Sequence, residues 1–186
     1  MTEAPRTPIE DRILQATLGV IGRRGVRRLS MGEVSEAAGI SRTTLYRYFD
    51  NKESLLHGVA RYDLERFATG LGEALDLVKE GRERLDVAIR YIVGYIEGHP
   101  ASGLAESEPG FVIAYIQELL PELRGILRKH LTDTLEEAAV VRDGVLGPDA
   151  LVDVMVRLQA TVWLMPTPER THLVSAMRWL AASGPC

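Results

Sequence analysis

The sequence predicts an all-α protein, with three short helices at the N-terminal end followed by a helical bundle. Three observations carry this. Apolar residues recur at three- and four-residue spacing through most of the 186-residue chain, the interval at which a helix returns to one face. Cap residues, glycines and prolines punctuate those stretches where helices begin and stop. No segment alternates apolar and polar residues as a half-buried strand does, and no internal repeat is evident.

Thr7-Pro8-Ile9-Glu10 opens the first helix. Thr7 caps it, Pro8 takes the first helical position, where a missing N–H is no loss, and Glu10 sits in the first turn. Ile9, Ile13, Ala16 and Val20 form one apolar stripe, and Leu14, Leu18 and Ile21 a neighbouring one, before Gly25 ends the helix. Ser30 and Glu33 have the spacing of a capping box, each side chain satisfying an orphan backbone N–H. Val34, Ala37 and Ala38 then offer a small apolar face that another helix can cross closely. Gly39 stops this helix where a left-handed backbone is needed. Ile40 plugs the corner, Ser41 caps a third helix, and Leu45 and Phe49, four apart, face inward. Asp50 is expected to cap a fourth helix from about Lys52 to Thr69, with Gly70 and Gly72 weakening its continuation. No Gly/Ser-rich linker follows, so this helix is expected to join head and body rigidly. Further helices are expected over about 83–98, 111–119, 121–142 (opened by Pro121), 148–165 and 167–182.

Ser30 to Lys52 is thus two short helices joined by a tight turn, the second with Arg42, Thr43, Tyr46 and Arg47 facing outward. That is a helix-turn-helix fitted for a DNA major groove. Arg pairs bidentately with guanine and Thr offers a methyl to thymine, so Arg42, Thr43 and Arg47 are base-edge candidates.

Residues 7–60 resemble the DNA-binding domain of the TetR family of bacterial transcriptional regulators. The resemblance rests on a first helix ending at Gly25, then Ser30-Met-x-x-Val, Ala38-Gly-Ile-Ser, Thr44-Leu-Tyr-Arg-Tyr-Phe and Asn51-Lys-Glu-x-Leu-Leu, at this spacing. It is close over about a third of the chain; the remainder is similar only in being helical and of the usual length. By resemblance and by geometry, Ser30, Thr44, Tyr48 and Lys52 are phosphate contacts, which position a protein without reading sequence. The resemblance gives Tyr46 mostly to the backbone as well. Gly32 stands where relatives often carry a polar residue, so fewer contacts are expected from the second helix. The fold class implied is all-α, a three-helix helix-turn-helix DNA-binding head (residues 1–50) on a helical-bundle, effector-binding and dimerisation body (residues 51–186).

The net charge is −4, but its distribution suits a DNA-binding head. Residues 1–60 hold nine Lys/Arg against seven Asp/Glu, and residues 61–186 thirteen against nineteen. An acidic body repels DNA and favours docking by the head alone. Arg23, Arg24, Arg27 and Arg28 either approach a flanking phosphate or keep the head soluble. The single cysteine, Cys186, excludes a disulfide framework or a cysteine metal site within one chain. His57, His99, His130 and His172 never fall three or four apart, so no helical metal pair is expected. The opening residues lack the apolar core of a signal peptide, and the longest apolar stretch, Leu151 to Met165, is interrupted by Asp153 and Arg157. A cytoplasmic protein is expected, with no membrane partner, no cofactor and no catalytic constellation.

For the body, the resemblance implies a small molecule bound inside the bundle, whose presence releases DNA. Candidate contacts are Tyr91, Tyr95, Phe111, Tyr115, Met155, Gln159 and Trp163, with His99 read more readily as a helix-end residue. Tyr91/Tyr95, Phe111/Tyr115 and Met155/Gln159/Trp163 each share a helix face, and the set suits an uncharged or weakly polar, aromatic or lipid-like effector. Ordinary core packing is the alternative for each residue; Gln159 discriminates best, because a buried amide must find a partner. The resemblance also implies a homodimer through the last two helices. One apolar face is Leu151, Val154, Met155, Leu158 and Val162; the other is Leu173, Ala176, Met177 and Leu180. Two-fold symmetry matches a palindromic operator on double-stranded DNA. The function expected is a homodimeric repressor released by a small hydrophobic effector. A ligand-responsive activator, and a helical small-molecule binding protein with a vestigial head, are the alternatives.

Overall fold

The caps read from the sequence open the helices of the head. In a computed structural model that describes residues 6–79, 81–165 and 175, Thr7 Oγ1 accepts the Glu10 N–H at 3.3 Å and starts α1 (Pro8–Arg24). Ser30 opens α2 (Met31–Ala37) and Ser41 opens α3 (Arg42–Tyr48). There follow α4 (Lys52–Asp76), α5 (Gly81–Gly98), α6 (Leu104–Ser107), α7 (Pro109–Glu137), α8 (Ala139–Arg142) and α9 (Pro148–Leu164). The described residues contain no strand.

Three expectations are corrected. Asn51, not Asp50, caps α4: its Oδ1 accepts the Ser54 N–H at 2.8 Å, and Ser54 Oγ accepts the Asn51 N–H at 3.2 Å. The helix then runs unbroken through Gly70 and Gly72 to Asp76. Each glycine costs a helix about 1 kcal/mol, but Phe67, Leu71 and Leu75 are buried along the same stretch and outweigh it. Gly70 also leaves room for the Tyr91 hydroxyl, where a Cβ would collide. Lastly, Pro121 does not open a helix but lies inside α7. Pro121 and Gln117, whose carbonyl loses its partner to the missing N–H, are both exposed, so water satisfies the freed group. The buried row Leu119, Leu127, Leu131 and Leu135 carries the helix past the proline.

The chain divides into two compact units. The first holds the described residues up to Glu65 together with Pro100–Phe111, and the second holds Arg66–His99 and the described residues from Val112 onward. This division falls within α4 and groups 100–111 with the N-terminal helices. In the first unit Ile13, Val34, Leu45 and Leu55 have no exposed surface. Ala38 is buried beside them, whereas Ala37, expected on the same face, is exposed. The core of the second unit joins Leu71 and Leu75 of α4, Ile89 and Ile92 of α5, Leu131 and Leu135 of α7, and Val152 and Val156 of α9. Among the described residues, no helix is long and apolar enough to cross a membrane. The expected helix over 167–182 lies outside the described residues.

Candidate nucleic-acid interface

The head presents α3 by fixing both of its ends. Ser30 Oγ accepts the Glu33 N–H at 3.2 Å, and the Glu33 carboxylate accepts the Ser30 N–H at 3.3 Å, so the capping box closes α2. Glu33 also meets the Arg24 guanidinium at 3.2 Å. Gly39 takes the left-handed conformation, φ 63°, that lets the chain turn out of α2. Ser41 Oγ accepts the Thr44 N–H at 3.0 Å, and the two hydroxyls lie 2.8 Å apart. Leu45, fully buried, and Phe49, nearly so, pin one side of α3 to the core. Arg42, Thr43, Tyr46 and Arg47 are left exposed on the other side, and Thr44 and Tyr48 are half-buried between.

Several of these side chains already have protein partners. The Arg42 guanidinium lies over Gly32 of α2, where a Cβ would stand 2.7 Å from Nη2. The glycine that deprives α2 of a polar side chain therefore makes room for an arginine from α3. The Tyr48 hydroxyl accepts a weak bond from Thr7 Oγ1 at 3.5 Å, and the Arg47 guanidinium carbon stands 5.5 Å from the Tyr48 ring centroid. The Thr7 bond and then Arg47 lower the Tyr48 pKa from its ordinary value. Lys52 is half-buried, and its ammonium donates to the Val26 carbonyl at 2.5 Å and the Arg27 carbonyl at 3.4 Å. Its charge thus sits under the α1–α2 turn as a tie, with one N–H left for a phosphate.

The sequence reading missed Glu108. Its carboxylate is buried, and both oxygens accept the Arg27 N–H at 3.1 Å. Gly25, at φ 77°, leaves no space for a Cβ beside Glu108 Oε1. Ala101, Leu104 and Ala105 are also buried, and the segment 100–111 belongs to the same compact unit as the N-terminal helices. An acidic residue ahead of a proline looks like an ordinary helix start; the spaced apolar Ala101, Leu104 and Ala105 were the available signal.

In the second unit the structure brings most of the bundle candidates together. Phe67, also missed, stands 5.6 Å from Tyr91 and 5.2 Å from Tyr95, ring centroid to centroid. Tyr91 and Tyr95 are 5.9 Å apart, and the Tyr91 hydroxyl donates to the Phe67 carbonyl at 3.2 Å. The row continues through His99, 6.0 Å from Tyr95 and 5.0 Å from Trp163, to Tyr115, 6.1 Å from Trp163. Met155 and Gln159, two turns and one turn ahead of Trp163 on α9, are buried. Gln159 Oε1 and Trp163 Nε1 are buried and find no hydrogen-bond partner among the described residues. Phe111 belongs instead to the first unit. Leu151, Met155 and Val162, read as a dimer face, are taken up by the core of the protomer itself; Val154 and Leu158 remain half-buried. Leu173, Ala176, Met177 and Leu180 lie outside the described residues. No group of three His, Cys, Asp or Glu that could hold a metal ion occurs among the described residues.

Known proteins agree with this geometry. Residues 13–59 match the model of "Bacterial regulatory proteins, tetR family". An uncharacterized HTH-type transcriptional regulator of Mycobacterium tuberculosis is 35% identical over 91 residues, which cover 49% of this chain and 45% of that protein. The chain thus spans about half the length of the first relatives it matches. The HTH-type transcriptional repressor KstR2 of Mycolicibacterium smegmatis is 25% identical over 190 residues, covering 98% of this chain and 86% of the repressor. Among solved structures, the fatty acid degradation regulator FadR of Bacillus halodurans superposes with a TM-score of 0.76 at 20% identity, over 97% of this chain and 98% of that one. This likeness is one of fold. The tetR-family model thus matches the helix-turn-helix segment of this chain, and the helical architecture is like that of the FadR structure over nearly the whole length.

Proposed function

We propose that the protein is a homodimeric transcriptional repressor that binds a palindromic operator and is released by a small hydrophobic effector. The observation that carries this reading is the exposed set Arg42, Thr43, Tyr46 and Arg47 on a short helix capped by Ser41 and pinned by Leu45. Arg42, Thr43 and Arg47 read base edges; Ser30, Thr44, Tyr46, Tyr48 and Lys52 hold the phosphate backbone. The relative KstR2 is a repressor, which favours repression over activation. Tyr91, Tyr95, Phe111, Tyr115, Met155, Gln159 and Trp163 contact the effector. DNA and effector prefer different conformers, so each lowers the affinity of the other. A protein with this work operates in the cytoplasm.

The test is selection of bound duplexes from random DNA at physiological salt. The expected result is an enriched palindrome whose half-sites lie about 34 Å or somewhat more apart, so that two heads reach successive major grooves. Weak, salt-sensitive binding without enrichment would overturn the reading.

A further inference from the structure

We propose that the bundle effector is an uncharged, ring-sized compound bearing a hydroxyl, bound through the Gln159–Trp163 pair; this rests on the effector reading above. Gln159 and Trp163 are four residues apart on α9, so they occupy successive turns of one face. Gln159 Oε1 is a buried acceptor and Trp163 Nε1 a buried donor, and neither has a partner among the described residues. Unsatisfied buried groups of this kind are rare, because each forfeits the hydrogen bond it made with water. One of each polarity on neighbouring turns calls for an occupant that satisfies both. A hydroxyl is the smallest ligand group that does so, accepting from the indole N–H while donating to the amide oxygen.

The surroundings define the rest of the ligand. His99 meets the Trp163 ring at 5.0 Å, tilted by 56°, and Tyr115 meets it edge-on at 6.1 Å, with Tyr95 next to His99 at 6.0 Å. These flat faces suit a ring. A carboxylate would accept from Trp163 but would set its charge against the Gln159 oxygen.

The experiment uses the full chain carrying Trp179→Phe, which leaves Trp163 as the single tryptophan of the two in the sequence. Its indole N–H resonance then reports directly on the proposed bond, and calorimetry supplies affinities for 2-naphthol, naphthalene and 2-naphthoate. The expected result is about ten-fold tighter binding of naphthol than of naphthalene, with naphthoate weakest. Naphthol alone shifts the indole proton downfield, and Gln159→Leu removes its advantage while preserving naphthalene binding. Equal affinity for naphthol and naphthalene, tightest binding of naphthoate, no binding of any of the three, or an advantage that survives Gln159→Leu would each overturn the proposal. Operator release is followed in parallel. Release by naphthalene or naphthoate without a hydroxyl preference leaves the effector reading standing and removes this one. A hydroxyl preference without release does the reverse.

Discussion

Arg42, a base reader under the proposed function, has a setting that depends on another helix. Arg42→Ala is expected to weaken binding to the selected operator by about 1–3 kcal/mol and to relax selectivity at one base pair. Gly32→Ala should act on the same contact from the other side, because the new Cβ would stand 2.7 Å from Arg42 Nη2. The end of a flexible side chain gives way cheaply, so thermal stability should hardly change while the operator profile does. If the two substitutions share one mechanism, the double variant loses no more than Arg42→Ala alone; fully additive losses in a binding-affinity cycle would separate them. The outward face of α3 was legible because Leu45 and Phe49, four apart, fix which side is buried. The partnership with Gly32 was not, since it joins side chains on two helices and leaves no local period. The tie from Lys52 to the Val26 and Arg27 carbonyls was hidden for the same reason.

Among the elements, helix starts were legible and helix continuations were less so. Thr7, Ser30 and Ser41 cap as their spacing predicts, since an N-cap is a bond between residues three apart. Gly70 and Gly72 read as weakening a helix and Pro121 as opening one, yet α4 and α7 pass through them. Whether a breaker wins depends on how much apolar surface the helix buries on either side, which no short window contains. Pro121→Ala tests this balance. Restoring an N–H at an exposed position, with the Gln117 carbonyl waiting, should raise stability by about 1–3 kcal/mol in urea denaturation. A loss of stability would mean that the proline ring does packing work that its exposure does not suggest.

For the molecule as a whole, the helical class was legible, and the contacts between distant segments were not. Glu108 and Arg27 are 81 residues apart, and only the folded chain brings them together. Glu108→Leu should destabilise the protein by about 1–3 kcal/mol, since it removes the acceptor of the part-buried Arg27 N–H. Glu108→Gln should recover most of that, because an amide oxygen still accepts. Thermal midpoints of the two variants check this, and equal midpoints would assign the carboxylate no such part. The Tyr91–Tyr95 ring contact was legible as a helix-face pair, whereas the contacts of Phe67 were not, because its ring meets theirs across elements. The placement of residues 100–111 with the head bears on how such regulators can be recombined. A fragment cut after Glu65 and spliced onto a foreign body would leave residues 100–111 behind, exposing the faces that Leu104 and Glu108 cover. The first unit of this fold is therefore not portable as a single continuous cassette, and a working chimera has to carry both stretches.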